Sequence, residues 1–267
     1  MPRTEVNGID LHWTERGTGD AVLFVHGFPF DRTLWDGELA TLPPGWRGIA
    51  PDLRGFGASR DTGKEPLTMA GHAADLLALL DQLNIESAVV CGLSMGGYVA
   101  LELIRRAAAR LSALILCDTR AEPDGDEARA ARLETAARVR RDGVEAVAAT
   151  LLPKLVAERT RRERPEVVAR LRAMMEAAPA ETIARASLGM AERADARPLL
   201  PAIGVPTLVT GGEHDALIPP DVMRALADAI PGARLALLPD AGHVANLENP
   251  AAFRSALHGF LAAVRGA

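Results

Sequence analysis

A chain of 267 residues that is 48% hydrophobic and 24% charged can bury the core of one large domain, and it is too apolar to be a disordered protein. Its formal net charge of −5 excludes the basic balance of a nucleic-acid-binding domain. The start, Met1-Pro2-Arg3-Thr4-Glu5, has no apolar signal-peptide core, and no uncharged apolar run approaches the ~18 residues of a membrane span. The two cysteines, Cys91 and Cys117, lie inside apolar segments and read as buried free thiols in a reducing compartment. A cytoplasmic protein without a nucleic-acid or membrane partner is the expectation.

In chain order, Ile9 to Glu15 alternates apolar and polar residues, as a half-exposed strand does. Ala21 to Val25 is a continuous apolar run ending near Gly27, the pattern of a parallel strand covered on both faces. Gly48-Ile49-Ala50 is a weaker strand signal. Met69 to Leu83 reads as a helix, Ser87 to Cys91 as a buried strand, and Met95 to Arg110 as a helix. Leu111 to Cys117 and Val205 to Thr210 are further buried strands. Pro220 to Ala229 is helical, Leu235 to Leu238 is the last strand, and Pro250 to Val264 is the last helix. This alternation predicts a mostly parallel sheet with helices on both faces. From about Glu122 to Arg197 the rhythm breaks. Ala, Arg and Glu dominate, apolar residues recur at helical spacing, and Pro153, Pro165 and Pro179 mark helix boundaries. The predicted organisation is a core of residues 1–118 and 199–267 with a helical insertion at 119–198.

The sharpest chemical signal is Gly92-Leu93-Ser94-Met95-Gly96-Gly97. It follows the run Val89-Val90-Cys91 and opens a helix. A strand that turns abruptly into a helix strains the residue at the turn and presents its side chain at the carboxyl end of the sheet. Gly92 and Gly96 flank it because side chains there would meet neighbouring backbone. The helix N-terminus that follows favours developing negative charge. A serine hydroxyl needs a base to act as a nucleophile. Of six histidines, His12 and His258 read as packing or surface residues, His72 as a residue at a helix start, and His26 as a loop-shaping residue. His214 sits on the same turn as the acidic candidates. His243 lies in the small-residue loop Pro239-Asp240-Ala241-Gly242-His243 after the last strand, where a mobile imidazole can reach the serine. The loop Gly211-Gly212-Glu213-His214-Asp215 offers two carboxylates to orient the base. Asp215 is preferred because it lies further beyond the strand. Glu213 is the near alternative and Asp118, at an earlier strand end, the distant one. An oxyanion needs two donors. The N–H of Met95 follows the nucleophile, and the loop His26-Gly27-Phe28-Pro29 supplies that of Phe28, since proline has none.

The segments His26-Gly27-Phe28-Pro29, Pro51 to Ser59, Gly92 to Gly97, Gly212-Glu213-His214-Asp215 and Gly242-His243 together resemble the landmarks of the α/β-hydrolase superfamily, in its order of serine, acid, histidine. The resemblance spans nearly the whole chain apart from the insertion. It implies an eight-stranded, mostly parallel sheet with a helical cap over the active site. The chain looks most like serine carboxylesterases and enol-lactone hydrolases. Epoxide hydrolases and haloalkane dehalogenases share the His-Gly-Phe-Pro type of loop but use an aspartate where this chain has Ser94. The implied activity is cleavage of a small, largely apolar ester or lactone with Ser94 as nucleophile, His243 as base and Asp215 as orienting acid, without metal or organic cofactor. Perhydrolysis or haloperoxidation, carbon–carbon bond hydrolysis, and a ligand receptor on the same fold are the alternatives. Phe28, Phe30, Trp35 and Met95 are expected to line the pocket, and Leu151, Leu155, Met174 and Met175 to close it from the insertion. Monomer and homodimer both remain open.

Overall fold

The computed structural model describes residues 2–266. Eight strands form one sheet: β1 (Arg3–Val6), β2 (Ile9–Gly17), β3 (Asp20–Val25), β4 (Trp46–Pro51), β5 (Ala88–Leu93), β6 (Leu111–Cys117), β7 (Thr207–Gly212) and β8 (Arg234–Leu238). Their order is β1-β2-β4-β3-β5-β6-β7-β8, with β1–β2 and β2–β4 antiparallel and every other pair parallel. The helices outside the insertion are α1 (Asp36–Thr41), α2 (Met69–Gln82), α3 (Met95–Ala107), α9 (Pro220–Asp228), α10 (Ala245–Glu248) and α11 (Pro250–Arg265). Between β6 and β7 lie five more: α4 (Asp126–Asp142), α5 (Val144–Leu155), α6 (Glu158–Glu163), α7 (Pro165–Ala177) and α8 (Ala180–Ala191). No helix among the described residues is long and apolar enough to cross a membrane.

The continuous apolar runs form the buried strands because both faces of the parallel sheet are covered. Side-chain alternation along β3 shows it: Leu23 and Val25 enter one core with α2, α3 and α8, while Val22 and Phe24 enter the other with α1 and α11. Three of the expectations need adjustment, and one strand carried no signal. β1 lacks an apolar pattern because three of its four residues face solvent or the rim at the sheet edge. β4 extends beyond the Gly48–Ala50 core of its signal. The helix after the elbow ends at Ala107, and Ala108–Arg110 tighten into a 3₁₀ turn. Pro153 does not bound a helix but sits inside the last turn of α5. Pro165 and Pro179 behave as expected, as the first residue of α7 and the N-cap of α8.

The sheet order reverses between β3 and β5, which lie side by side with Val25 opposite Gly92. Connections leave such a pair toward opposite faces and open a crevice at the strands' carboxyl ends. The segments after β3, β5, β7 and β8 all emerge on that side.

Beneath the sheet, α1 turns Glu38 into the apolar core shared with α11. The Asn246 side-chain amide, which also donates to the Leu34 carbonyl at 3.1 Å, reaches its carboxyl at 3.4 Å. Burial pushes this acid up from its ordinary 4.5 to about 7. The fold therefore favours the protonated form. That contribution to stability is complete below about pH 4.5 and is lost as pH rises through 7. Glu38→Gln, which mimics the neutral acid, is expected to gain on the wild type by about 2–3 kcal/mol between pH 5 and pH 8 in urea unfolding. A difference between the two proteins that does not change with pH contradicts this placement of Glu38.

Candidate active site

Ser94 is the residue between β5 and α3, at φ 54° and ψ −112°. A serine in this region carries about 1–3 kcal/mol of backbone strain that its surroundings must hold. They do so on every side. The Ser94 N–H donates to the Cys117 carbonyl at the end of β6 at 2.9 Å. Its carbonyl accepts from the Gly97 N–H at 2.9 Å and from the Thr119 hydroxyl at 2.8 Å. A Cβ on Gly92 would lie 2.2 Å from the Gly96 carbonyl oxygen, and one on Gly96 would lie 2.2 Å from that of Val25. Both glycines are thus required by backbone contact. The Ser94 hydroxyl caps no helix N–H and is left free for chemistry.

His243 follows β8, and its Nε2 lies 2.9 Å from the Ser94 Oγ. Its Nδ1 lies 2.8 Å from Asp215 Oδ2, so Nδ1 carries the proton and Nε2 faces the hydroxyl as acceptor. The other oxygen of Asp215 accepts from the N–H groups of Leu217 at 2.8 Å and Ile218 at 2.9 Å. Three donors thereby hold a buried carboxylate in one orientation. Of the two carboxylates, Glu213 is exposed, while Asp215 is 4% exposed and bonded to the imidazole.

Asp118 is not distant. The end of β6 brings it beside the pair, with one atom each of Asp118, Asp215 and His243 within 4.8 Å of one another. Burial, and then the charge of Asp215, raise Asp118 well above the usual carboxylate range. A neutral acid there avoids a second negative charge beside the first. Its Oδ1 accepts from the Gly212 N–H at 2.8 Å. This trio has the composition of a metal-binding group, but His243 Nδ1 and Asp215 Oδ2 already occupy each other, so proton handling is the chemistry the geometry offers.

After β3, His26 accepts from the Leu53 N–H through Nε2 at 3.0 Å and donates from Nδ1 to the Gly27 carbonyl at 2.9 Å. Burial lowers its pKa, which keeps the ring neutral as this pairing requires. It fastens the His26–Pro29 loop to the Pro51–Ser59 segment, where buried Asp52 accepts from the N–H of Arg32 and of Ala58. The Phe28 N–H donates to no protein acceptor among the described residues, and Met95, as the first residue of α3, has an N–H without an intrahelical partner.

A cavity of about 460 Å³ adjoins Ser94 and His243, within the range of small-molecule sites. Phe28, Leu217 and Ile218 line it from the sheet side, and Val147, Leu151, Leu155 and Met190 from the insertion. Arg120, Asp124, Arg132, Glu134, Arg138 and Lys154 also face it, so the wall is more charged than the apolar pocket expected. Phe28, Leu151 and Leu155 line this cavity. Phe30 and Trp35 do not line this cavity. The 3₁₀ turn Arg32–Trp35 carries the chain to the opposite face of the sheet, where Trp35 packs 5.2 Å from Phe24 and 6.0 Å from Phe253. Met95 has its side chain fully buried in the core and meets the site through its backbone alone. Met174 and Met175 pack in the core below.

Comparison with known proteins identifies the fold family. Residues 20–250 match the family model of the alpha/beta hydrolase fold. An esterase structure from Thermogutta terrifontis, solved with malate bound, is 45% identical, with 98% of this chain and 97% of that one covered and a TM-score of 0.94. The enol-lactonase from Burkholderia xenovorans is 34% identical, with 98% and 100% covered and a TM-score of 0.91. A Mycobacterium tuberculosis protein named as a non-heme bromoperoxidase is 32% identical, with 96% of this chain and 99% of that protein covered. The chain belongs to the alpha/beta hydrolase fold family. Esterases and enol-lactonases are among its relatives, and it is an enzyme of this family.

The elbow geometry carries its own test. Gly96→Ala must displace backbone to clear the Val25 carbonyl. It is expected to cost about 3 kcal/mol, the upper end of overpacking penalties, in urea unfolding. Unchanged stability contradicts the close approach of β3 to the turn.

Proposed function

We propose that the protein is a serine hydrolase of small carboxylic esters or lactones, working through an acyl-enzyme on Ser94. The observation that carries this reading is the chain of contacts from Ser94 Oγ through His243 to Asp215, at 2.9 and 2.8 Å, set at a strained strand–helix turn. In the proposed mechanism His243 Nε2 takes the hydroxyl proton as Ser94 attacks the carbonyl carbon. The oxyanion is held by the N–H groups of Phe28 and Met95, of which one such donor is typically worth about 3 kcal/mol. Asp215 stabilises the imidazolium without taking its proton. The imidazolium then protonates the leaving alkoxide. Water, deprotonated by the same histidine, attacks the acyl carbon; the bond to Ser94 Oγ breaks, the imidazolium returns its proton to that oxygen, and the acid is released. No metal or organic cofactor takes part in these steps.

The inserted helices act as a cap in this reading, because residues of α4, α5 and α8 face the cavity. The substrate is a small molecule matched to about 460 Å³, and the apolar wall from Val147, Leu151 and Leu155 receives its hydrocarbon part. The likeness to a protein named as a bromoperoxidase supports a second reading, in which hydrogen peroxide replaces water in deacylation and a peroxyacid is released.

Turnover of p-nitrophenyl butyrate is expected to vanish in Ser94→Ala, and wild-type turnover in that variant would falsify the proposal. Asp215→Asn is expected to lower kcat by about 10⁴ while Glu213→Gln stays near wild type. The reverse pattern identifies Glu213 as the acid. Bromination of a dye in acetate, bromide and hydrogen peroxide, where the released peroxyacid oxidises the bromide, measures the second reading and is expected to be absent in Ser94→Ala.

A further inference from the structure

His243 sits in a loop, yet the positioning of a base within hydrogen-bond reach of a serine demands a fixed backbone. Glu248, one turn further on in α10, is buried and directed at that backbone. Its Oε1 accepts from the N–H of Gly242 at 2.9 Å and of Val244 at 3.4 Å, the residues on either side of His243. Its Oε2 accepts from the Ala157 N–H at 2.8 Å and from the Thr160 hydroxyl at 2.7 Å. Those two donors belong to the start of α6 in the insertion. One carboxylate thus holds the histidine loop with one oxygen and the insertion with the other.

Neighbouring contacts run in the same direction. The His243 N–H donates to the Leu155 carbonyl at the end of α5 at 3.0 Å. A Cβ on Gly242 would lie 2.6 Å from the Ala157 nitrogen, so the two segments touch at backbone distance. The Arg164 guanidinium, at the start of α7, donates to the carbonyls of Leu247 and Glu248 at 2.9 and 2.8 Å. Leu155 in turn lines the cavity.

We propose that Glu248 is a positioning residue: it locks the backbone of His243 and makes the alignment of the base depend on how residues 155–160 of the insertion are seated. A segment that contacts substrate is thereby bonded to the group that activates the nucleophile. A glutamine at this position has the same shape but replaces one oxygen by an amide NH₂. That end then faces N–H or O–H donors with a donor, and half of the clamp is lost. This inference rests on the reading of Ser94, His243 and Asp215 as the catalytic relay.

The test compares the full-length wild type with Ser94→Ala, Glu248→Gln and Thr160→Val on p-nitrophenyl butyrate, at a temperature where circular dichroism shows each protein folded. Glu248→Gln is expected to lower kcat about tenfold to a hundredfold with KM within about twofold, the pattern of a misplaced base rather than lost binding. Thr160→Val, which removes a single donor to Oε2, is expected to lower kcat less, again with KM unchanged. Wild-type kcat in Glu248→Gln together with an inactive Ser94→Ala overturns the clamp and leaves the relay standing. A reduced melting temperature with wild-type kcat also overturns it, because the role is then only structural. Wild-type turnover in Ser94→Ala overturns the relay, and the clamp with it. Should Glu248→Gln fail to fold, Thr160→Val decides: lowered kcat at constant KM upholds the proposal, and wild-type kcat overturns it.

Discussion

The backbone of Ser94 is the constraint on which the rest of the site depends. A serine at φ 54° and ψ −112° is held there only because β3, β5 and β6 converge on it. Gly96 brings α3 against the Val25 carbonyl, Gly92 lets the chain fold back on Gly96, and Cys117 and Thr119 supply the flanking hydrogen bonds. The strain is small beside the burial of a large two-faced core, yet it fixes the direction of one hydroxyl. A relaxed turn would have the same residues with the Oγ aimed elsewhere.

The partners of Ser94 reach it by different physical routes. Asp215 is set by the first turn beyond β7, where two N–H groups and the imidazole fill its lone pairs. The Phe28 loop is set by neutral His26, whose ring bridges to Leu53. His243 has no such local brace in its small-residue loop and is braced instead by Glu248 and by the α5–α6 junction. The chemistry of the proposed reaction therefore belongs to the sheet, while the insertion supplies both the cavity wall and part of the support for the base. In the proposed reaction, substrate fit and base alignment are coupled through the same short segment.

Much of this was legible in the sequence, for identifiable reasons. Parallel strands covered on both faces are written as unbroken apolar runs, and an elbow that admits no side chain is written as glycines at fixed offsets from Ser94. β1 escaped because an edge strand of four mostly polar residues has no periodicity to read. Trp35 was misplaced because closeness in sequence to the Phe28 loop does not survive a 3₁₀ turn that changes the face of the sheet, and Phe30, ahead of that turn, is already buried in the same second core. Asp118 could not be seen beside Asp215, since only the pairing of β6 with β7 brings them together. Glu248 leaves no mark at all in a one-dimensional pattern: its four partners are split between its own loop and residues 88 and 91 positions away.

The central claim is that this strained turn makes Ser94, out of all the hydroxyl groups of the chain, the one that carries the acyl group. Rapid quenching of the protein with excess p-nitrophenyl butyrate, followed by intact-mass and peptide mass spectrometry, tests it directly. One added butyryl group is expected, confined to the peptide containing Gly92–Gly97 and lost on further incubation with water. A butyryl group on another residue, or turnover through water with Ser94 never acylated at any quench time, contradicts it.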